Sequence, residues 1–302
     1  MKNIIDKIKK LKEEKNAIIL AHSYQNIEID EVADFVGDSL YLSQMAKKTN
    51  ADIIVFAGVY FMAQTAKIIS PDKKVLLPNV KAGCLMADMI NHKQMVEFKQ
   101  KHPNIPVVCY INSTAEVKAE CDICCTSSNA LEIVKSLNAP RVLFVPDANL
   151  GKWVESQLKG VVVTVYDGNC PVHNNITVED IELARKNYPN AKILIHPECK
   201  PKVSHLGDYV GSTSGIINYV KNSDHKQFVI VTEKGVVDRL KRDYPEKEFI
   251  LIRDNMLCES MKLTTLEEIL HSLENETNEI TLDEEVRKAS AGCIERMLKV
   301  SK

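Results

Sequence analysis

Three cysteines recur at almost constant intervals along the chain, and cysteine thiolates are common metal ligands. Cys84, Cys170 and Cys258 are 86 and 88 residues apart, and each follows an apolar, β-branched run. Structural zinc usually takes four ligands in short paired spacings, which this pattern does not match. Three widely separated thiolates instead favour a [4Fe–4S] cluster in which one iron is free to act as a Lewis acid.

The other six cysteines do not share that interval. Cys121 and Cys124 form a Cys-x-x-Cys spacing, which occurs at metal and redox sites. No second pair lies near it in the sequence, and the equivalent positions of the other repeats hold no cysteine. We therefore expect structural or packing roles for the whole set, because free cysteine is often buried. The set is Cys109, Cys121, Cys124, Cys125, Cys199 and Cys293.

Polar side chains follow the first strand that is predicted in each repeat. They are His22, Tyr24, Tyr110, Asn112, His196 and Glu198. Ligands bind beyond the carboxyl ends of the strands in open α/β sheets, so these side chains are candidates for a shared site. His196 and Glu198 are the candidates for general acid–base catalysis, because partial burial can bring the pKa of either group towards neutrality.

Hydroxyl groups are predicted at the helix starts that come next in each repeat. They belong to Ser39, Ser127, Ser212 and Thr213. A single such hydroxyl is most simply an N-cap. Several helix starts that converge would instead form a pocket for anions such as phosphate and carboxylate. His173 lies three residues after Cys170. This position is equally compatible with a supporting contact to that ligand and with an ordinary surface or core histidine.

These residues must be positioned by a repeated arrangement of strands and helices. Apolar runs at 17–21, 107–111 and 192–195 predict buried parallel strands, each followed by helix and strand patterns in the same order. The fold class is therefore α/β, with three homologous α/β/α sandwich units and parallel sheets around a pseudo-threefold axis. The expected units are 1–84 together with the C-terminal helices of 263–302, then 85–170, then 171–262.

The overall composition narrows the classes of function. The chain has 302 residues, of which 45% are hydrophobic and 26% are charged, and its net charge is -2. Interleaved charges argue against binding to nucleic acid or to a membrane surface. No segment has the apolar length of a signal peptide core or of a membrane span. A cytoplasmic protein that acts on small molecules is expected, with cysteines that are not organised as disulfides.

Eight segments together resemble the quinolinate synthase family, the A protein of bacterial and archaeal NAD biosynthesis, over nearly the full length. The segments are AHSYQ at 21–25, DFVGDS at 34–39, GVYFMA at 58–63, YINST at 110–114, CPVH at 170–173, HPEC at 196–199, GST at 211–213 and CESMK at 258–262. Ser23, Tyr60 and Leu85 depart from the family pattern. None of these three is a proposed ligand or acid–base group.

The resemblance implies an activity and a set of roles. Iminoaspartate and dihydroxyacetone phosphate would condense to quinolinate with release of phosphate and water, and L-aspartate oxidase or aspartate dehydrogenase would supply the iminoaspartate. A [4Fe–4S] cluster would be bound by Cys84, Cys170 and Cys258. The proton transfers would involve Tyr24, Tyr110, His196 and Glu198. Substrate would contact His22, Ser39, Asn112, Ser127, Ser212 and Thr213.

Two other functions are compatible with an open iron–sulfur site. An aconitase-like hydro-lyase would use the free iron on a hydroxy acid. A non-catalytic iron–sulfur sensor or electron carrier would normally have a fully ligated cluster.

Overall fold

The computed structural model describes residues 2–301, which form three four-stranded parallel sheets. The first sheet has the strand order β2-β1-β3-β4. The elements of this part are α1 (Lys2–Glu14), β1 (Ala17–His22), β2 (Phe35–Gly37), α2 (Ser39–Lys48), β3 (Ile53–Ala57), α3 (Tyr60–Ile69) and β4 (Lys74–Leu76). Short 3-10 turns lie at Ile27–Glu31 and Ala87–Met89.

The second sheet repeats the same strand order, here β6-β5-β7-β8. Its elements are α4 (His92–Gln100), β5 (Val107–Tyr110), α5 (Ala115–Ala119), β6 (Ile123–Cys125), α6 (Ala130–Ser136), β7 (Arg141–Val145), α7 (Ala148–Gln157) and β8 (Val162–Val165). All of its strand pairs are parallel.

The third sheet has the same strand order again, here β10-β9-β11-β12. Its elements are α8 (Pro171–Asn174), α9 (Val178–Asn187), β9 (Lys192–Ile195), α10 (Pro201–Ser204), β10 (Tyr209–Val210), α11 (Thr213–Lys221), β11 (Gln227–Val231), α12 (Lys234–Asp243), β12 (Glu248–Leu251) and α13 (Glu259–Lys262). The α/β class and the three units are therefore confirmed. The exact boundaries at 84, 170 and 262 stay a prediction.

Each central strand is apolar on both faces because helices cover both sides of its sheet. In β11, Phe228 and Ile230 pack into one core, whereas Val229 and Val231 pack into the core on the opposite face. Side chains alternate between the two faces of a strand, so a continuous apolar run is what a doubly covered sheet requires.

A carboxylate braces the first strand at the same place in each unit. Asp34, Asp122 and Asp208 each accept a hydrogen bond from a backbone N–H fifteen residues earlier, at 2.7, 2.7 and 2.8 Å. The donors belong to Ile19, Val107 and Ile193. The backbone N–H of each aspartate in turn donates to the backbone carbonyl of the residue whose N–H it accepts. This paired contact explains why an acidic residue recurs at this position.

The C-terminal helices, α14 (Leu266–Asn275) and α15 (Glu284–Val300), contact different units. Helix α14 packs on α1 and β3 of the first unit, as expected. Helix α15 lies mainly against α5 and β6 of the second unit and also contacts α3. The tail thus joins two units, and the sulfurs of Cys293 and Cys124 lie 2.9 Å apart at this contact.

The six cysteines outside the repeated interval are all buried, as expected for packing residues. Among the helices within 2–301, none has both the length and the apolar character that crossing a bilayer would require.

Replacing Asp122 with alanine should lower the free energy of unfolding by about 1 to 2 kcal/mol, because the backbone N–H of buried Val107 loses its acceptor. Asp122→Asn keeps an acceptor oxygen and should remain close to wild type. Urea unfolding followed by circular dichroism measures both, with exposed Asp72→Ala as the matched control. Equal stability of the alanine and asparagine variants would contradict the bracing role.

Candidate active site

One cavity of about 410 Å³ lies where the three units meet. Loops from the carboxyl ends of strands in all three sheets contribute to its lining, in a size range typical of small-molecule sites. Every predicted site residue except Ser212 lines it: His22, Tyr24, Ser39, Cys84, Tyr110, Asn112, Ser127, Cys170, His196, Glu198, Thr213 and Cys258. Residues more than 80 positions apart in sequence therefore share one site.

The three cysteines of the repeated interval have equivalent surroundings. Cys170 and Cys258 are the N-cap residues of α8 and α13, and Cys84 precedes a 3-10 turn. The backbone N–H three residues later is directed at each sulfur and lowers the pKa of the thiol. These N–H groups belong to Ala87, His173 and Met261. Hydrogen bonds to cysteine sulfurs are one of the means by which proteins tune iron–sulfur centres.

These thiols are in surroundings that oppose ionisation in the absence of a cation. Burial raises the pKa of Cys84 to about 12, and the neighbouring Cys258 adds to the effect. Burial also raises the pKa of Cys170 well above its ordinary value, with contributions from Glu198 and Cys84. A bound metal centre would reverse this balance, because a thiol that coordinates a metal is deprotonated.

A second group of possible ligands adjoins Cys170. The ligand atoms of Cys170, His173 and Glu198 all lie within 4.8 Å of one another. His173 Nδ1 is 3.3 Å from the sulfur of Cys170 and 2.8 Å from Glu198 Oε2. His173, which the sequence left between two interpretations, therefore contacts both a predicted ligand and a predicted acid–base group.

Glu198 is the centre of the acid–base groups. The Tyr110 hydroxyl donates to its Oε1 at 2.6 Å, and His173 contacts its Oε2. Burial would raise the pKa of Glu198, but His196, His173 and the Tyr110 hydroxyl together hold it below its ordinary value. The buried carboxyl group is therefore an anion that accepts hydrogen bonds from its neighbours.

The two tyrosines are held as neutral phenols. Burial, with the charge of Glu198 as the next cause, raises the pKa of both Tyr24 and Tyr110 well above the ordinary value. The Tyr24 oxygen lies 3.0 Å from Thr232 Oγ1 and accepts a hydrogen bond from Thr213 at 3.1 Å. Both phenols can therefore donate a proton only to a strong base or to a group that develops negative charge.

His22 and His196 occupy equivalent positions and have the same tautomer. Nδ1 of each ring accepts a backbone N–H from two residues later, from Tyr24 at 3.1 Å and from Glu198 at 3.3 Å. Burial lowers the pKa of His22 to about 4 and that of His196 to about 3. Each neutral ring thus carries its proton on Nε2, as a hydrogen-bond donor.

The predicted hydroxyl groups are placed differently from one another. Ser39 and Thr213 are the first residues of α2 and α11 and line the cavity. Ser127 also lines it but lies in the turn before α6, which Asn129 precedes as N-cap. The Ser212 hydroxyl accepts from the Gly215 N–H at 3.1 Å as the N-cap of α11. A role for Ser212 in substrate binding stays a prediction.

Asn112 supplies an acceptor that has no protein partner within the described part of the chain. Its Oδ1 atom is buried and makes no hydrogen bond there, and the residue lines the cavity. A buried acceptor without a partner costs free energy, so a ligand that donates to it would gain affinity.

Two acidic residues behind the cysteines were not predicted. Asp147 and Glu233 are fully buried N-cap residues of α7 and α12, and they are 86 residues apart. Glu233 accepts the backbone N–H of Cys258 at 3.3 Å, and the N–H of Cys170 is directed at Asp147. The spacing matches the repeat, which is the signal that could have identified them.

Two cations of the third unit hold the Tyr24 loop. Arg239 donates to the carbonyl groups of Ser23 and Gln25 at 2.7 and 3.0 Å. Lys262 donates to the carbonyl group of Tyr24 and forms an ion pair with Glu233 at 3.1 Å. The loop that carries Tyr24 is therefore bound to the same third-unit segment as Cys258.

Comparison with known proteins identifies the family. The family described as quinolinate synthetase A protein matches residues 6–299. The chain belongs to this family. It is 51% identical to the quinolinate synthase of Alkaliphilus metalliredigens over 99% of this chain and 98% of that protein. Quinolinate synthases of Dehalococcoides mccartyi and Clostridioides difficile are 50% and 47% identical, over 98% and 99% of both chains. The protein is thus an enzyme of the quinolinate synthase family.

The free energy of unfolding of the metal-free protein should fall as the pH drops from 6.5 towards 4. His22 has its ordinary pKa of 6.5 when unfolded and about 4 when folded, so the unfolded state binds more protons in this window. The contribution of His22 reaches about 1.4 kcal/mol per pH unit. His22→Asn should flatten the dependence in urea unfolding, whereas exposed His205→Asn should not. An unchanged slope in His22→Asn would contradict the assignment.

Proposed function

We propose that this enzyme condenses iminoaspartate with dihydroxyacetone phosphate to quinolinate, releasing phosphate and water. The observation that carries the proposal is the meeting of three repeat-equivalent thiols with Glu198 and two neutral tyrosines at one buried cavity. Family membership supports the same reaction, because the relatives are named quinolinate synthases. The enzyme would act in NAD biosynthesis.

Cys84, Cys170 and Cys258 would bind a [4Fe–4S] cluster. Backbone N–H groups directed at equivalent places on the three sulfurs fit such a cluster. The three sulfurs do not form a group within 4.8 Å of one another, as ligands of a single ion would. Three thiolates leave one iron open, which when bound would supply a Lewis acid for substrate oxygen.

The polar groups of the cavity would bind the anionic parts of the substrates. Ser39 and Thr213 start helices of ten and nine residues, so backbone N–H groups and the helix dipole favour phosphate or carboxylate there. His22 and His196 would add neutral Nε2–H donors, and Asn112 and Ser127 would orient the substrates further.

Proton transfers would be carried by the groups around Glu198. The anionic carboxylate would act as the base, and the Tyr110 hydroxyl, 2.6 Å away, would return a proton to a leaving group. Tyr24 would act at its own side of the cavity, where Thr213 contacts it. Most of these side chains are buried, so the residues around them exclude water and strengthen their electrostatic contacts.

The expected partners are small molecules. Iminoaspartate would come from an L-aspartate oxidase or an aspartate dehydrogenase, and neither a nucleic acid nor a membrane is expected as a partner. A reducing, cytoplasmic location is supported by the free state of all nine cysteines.

Protein purified without oxygen should contain about four irons per chain and form quinolinate from the two substrates. Alanine at Cys84, Cys170 or Cys258 should abolish iron binding and activity, because the remaining thiols cannot hold the cluster. Cys121→Ala, at a buried thiol outside the cavity, is the matched control. Iron-free protein with full activity, or dehydration of a hydroxy acid without any quinolinate, would rule the proposal out.

Glu233→Ala should weaken cluster retention without removing a ligand. The backbone N–H of Cys258 and the ammonium group of Lys262 would both lose their buried partner. Iron release to a chelator should become faster by about tenfold or more, in line with losses of metal affinity after removal of supporting hydrogen bonds. The exposed Glu246→Ala variant serves as control. Release at the wild-type rate would show that Glu233 does not support the site.

A further inference from the structure

Four cysteines that take no part in the proposed reaction lie together beneath the tail helix. They are Cys109 on β5, Cys121 after α5, Cys124 on β6 and Cys293 on α15. All four are free, and Cys121 keeps 6% exposure whereas the other three have none. Cys109 and Cys124 are partners in the parallel register of their strands, so their side chains lie on the same face of the second sheet.

The sulfurs of this group form a line that ends at the tail helix. Cys121 and Cys124 both neighbour Cys109, and the sulfurs of Cys124 and Cys293 are 2.9 Å apart. A disulfide bond is about 2.05 Å long, so a small shift of either side chain brings the last two sulfurs to bonding distance. The pair in direct contact therefore joins two elements, β6 and α15, and is not the Cys-x-x-Cys pair of the sequence.

A buried cation adjoins the thiols. Lys118 is fully buried and donates to the backbone carbonyl of Ser113. Burial lowers the pKa of Lys118, whereas the neighbouring cysteines, with Cys124 and Cys109 first, favour its charged form. Burial alone would raise the pKa of Cys109, but Cys121, Cys124 and the charge of Lys118 hold it well below the ordinary value. A thiolate beside a lysine is the form of cysteine that reacts with oxidants.

The tail helix holds β6 at three successive places. Arg296 donates to the backbone carbonyl of the residue that precedes the strand by one position. The contact between Cys124 and Cys293 lies within the strand. After the strand, the Asn129 amide donates to the Ser301 hydroxyl at 2.7 Å. A covalent bond at the central contact would therefore fix a helix and a strand that are already aligned.

We propose that Cys124 and Cys293 form a reversible disulfide bond that cross-links the tail helix to β6 when the protein meets a two-electron thiol oxidant. The S–H bonds of both cysteines break, one S–S bond forms, and the oxidant takes up two electrons and two protons. A peroxide is thereby reduced to water, and an azodicarboxamide to the corresponding hydrazine. A reducing compartment keeps the thiols free, since cytosolic disulfides are usually transient.

The least buried thiol is the point of entry for a small oxidant. Oxidised Cys121 reacts with the thiolate of Cys109, and thiol–disulfide exchange then passes the bond to Cys124 and finally to Cys293. Each exchange step forms one S–S bond and breaks another, so the first reaction alone consumes the oxidant. Lys118 favours the thiolate form of Cys109 on which this exchange depends.

The cross-link acts on one wall of the cavity from outside. Strand β6 runs directly into the turn that contains Thr126 and Ser127, and both residues line the cavity. Helix α15 also contacts α3, from which Phe61 and Met62 line the cavity. A bond between Cys293 and the strand therefore restricts the opening of this wall.

Oxidation of the iron-loaded enzyme under exclusion of oxygen tests the cross-link. The probe is diamide, an azodicarboxamide that oxidises free thiols, and the iron content is measured in parallel. Peptide mass mapping of the wild type should find a disulfide between Cys124 and Cys293, which dithiothreitol removes. Hydrogen exchange of β6 and α15 should then slow by about tenfold or more, because a cross-link between distant residues restricts local opening. Helix α9 of the third unit should exchange as before.

Variants assign the reaction to the proposed residues. Cys293→Ala should not form a disulfide at Cys124, and Cys124→Ala serves the same purpose if that variant does not fold. Cys125→Ala is the matched control, because Cys125 is the next buried residue of β6 and points to the opposite face. Lys118→Met should slow formation of the bond by about tenfold or more, because Cys109 loses the neighbouring charge.

Three results would overturn the cross-link. One is an oxidised wild type in which Cys124 and Cys293 stay free while other thiols of the chain react. Another is a disulfide between Cys109 and Cys121 in place of the proposed one. The third is unchanged exchange of β6 and α15 after the bond has formed. None of these measurements depends on quinolinate formation, so the proposed function is tested separately.

Discussion

The meeting of three parallel sheets at their carboxyl ends is the constraint on which the rest of the structure depends. Each unit contributes a strand end, a helix start and a closing loop, and these places hold the acid–base groups, the hydroxyls and the cysteines. No unit alone contains more than one thiol of the set. The tail helix α15 and the cations Arg239 and Lys262 join the units, so they help to keep the three loops in register.

Burial sets the ionisation state of most residues in the site. Glu198 is the exception, because it keeps its charge although it is buried. Desolvation keeps both tyrosines protonated and both cavity histidines neutral. Glu198 is equally buried, yet two imidazoles and one phenol hold its charge. Glu198 is therefore a buried anion whose charged form is stabilised by the groups around it. The hydrogen-bond donors that stabilise the carboxylate are the same groups that can exchange protons with it.

Much of this arrangement could be predicted because the repeat makes distant positions equivalent. The aspartates at 34, 122 and 208 recur for a backbone reason that is the same in every unit. The cysteines and strand-end polar groups follow the same interval, so their convergence could be expected before any contact was known. The packing of α15 on the second unit was harder to predict, because the sequence of an amphipathic helix does not identify which neighbour its apolar face will cover.

The repeat interval predicts where a residue lies, but it does not predict which groups that residue contacts. Glu233 lies 86 residues after Asp147, so the interval could have identified both acids, although only the structure gives their contact with the cysteine N–H groups. Thr232 has no such signal, since Pro146 and Gly58 occupy the equivalent positions. A hydroxyl at a strand end is an ordinary feature until its two partners are known. Thr232 therefore marks a place where the repeat is broken, because its hydroxyl lies between Tyr24 and His173 and the equivalent Pro146 and Gly58 have no hydroxyl that could make these contacts.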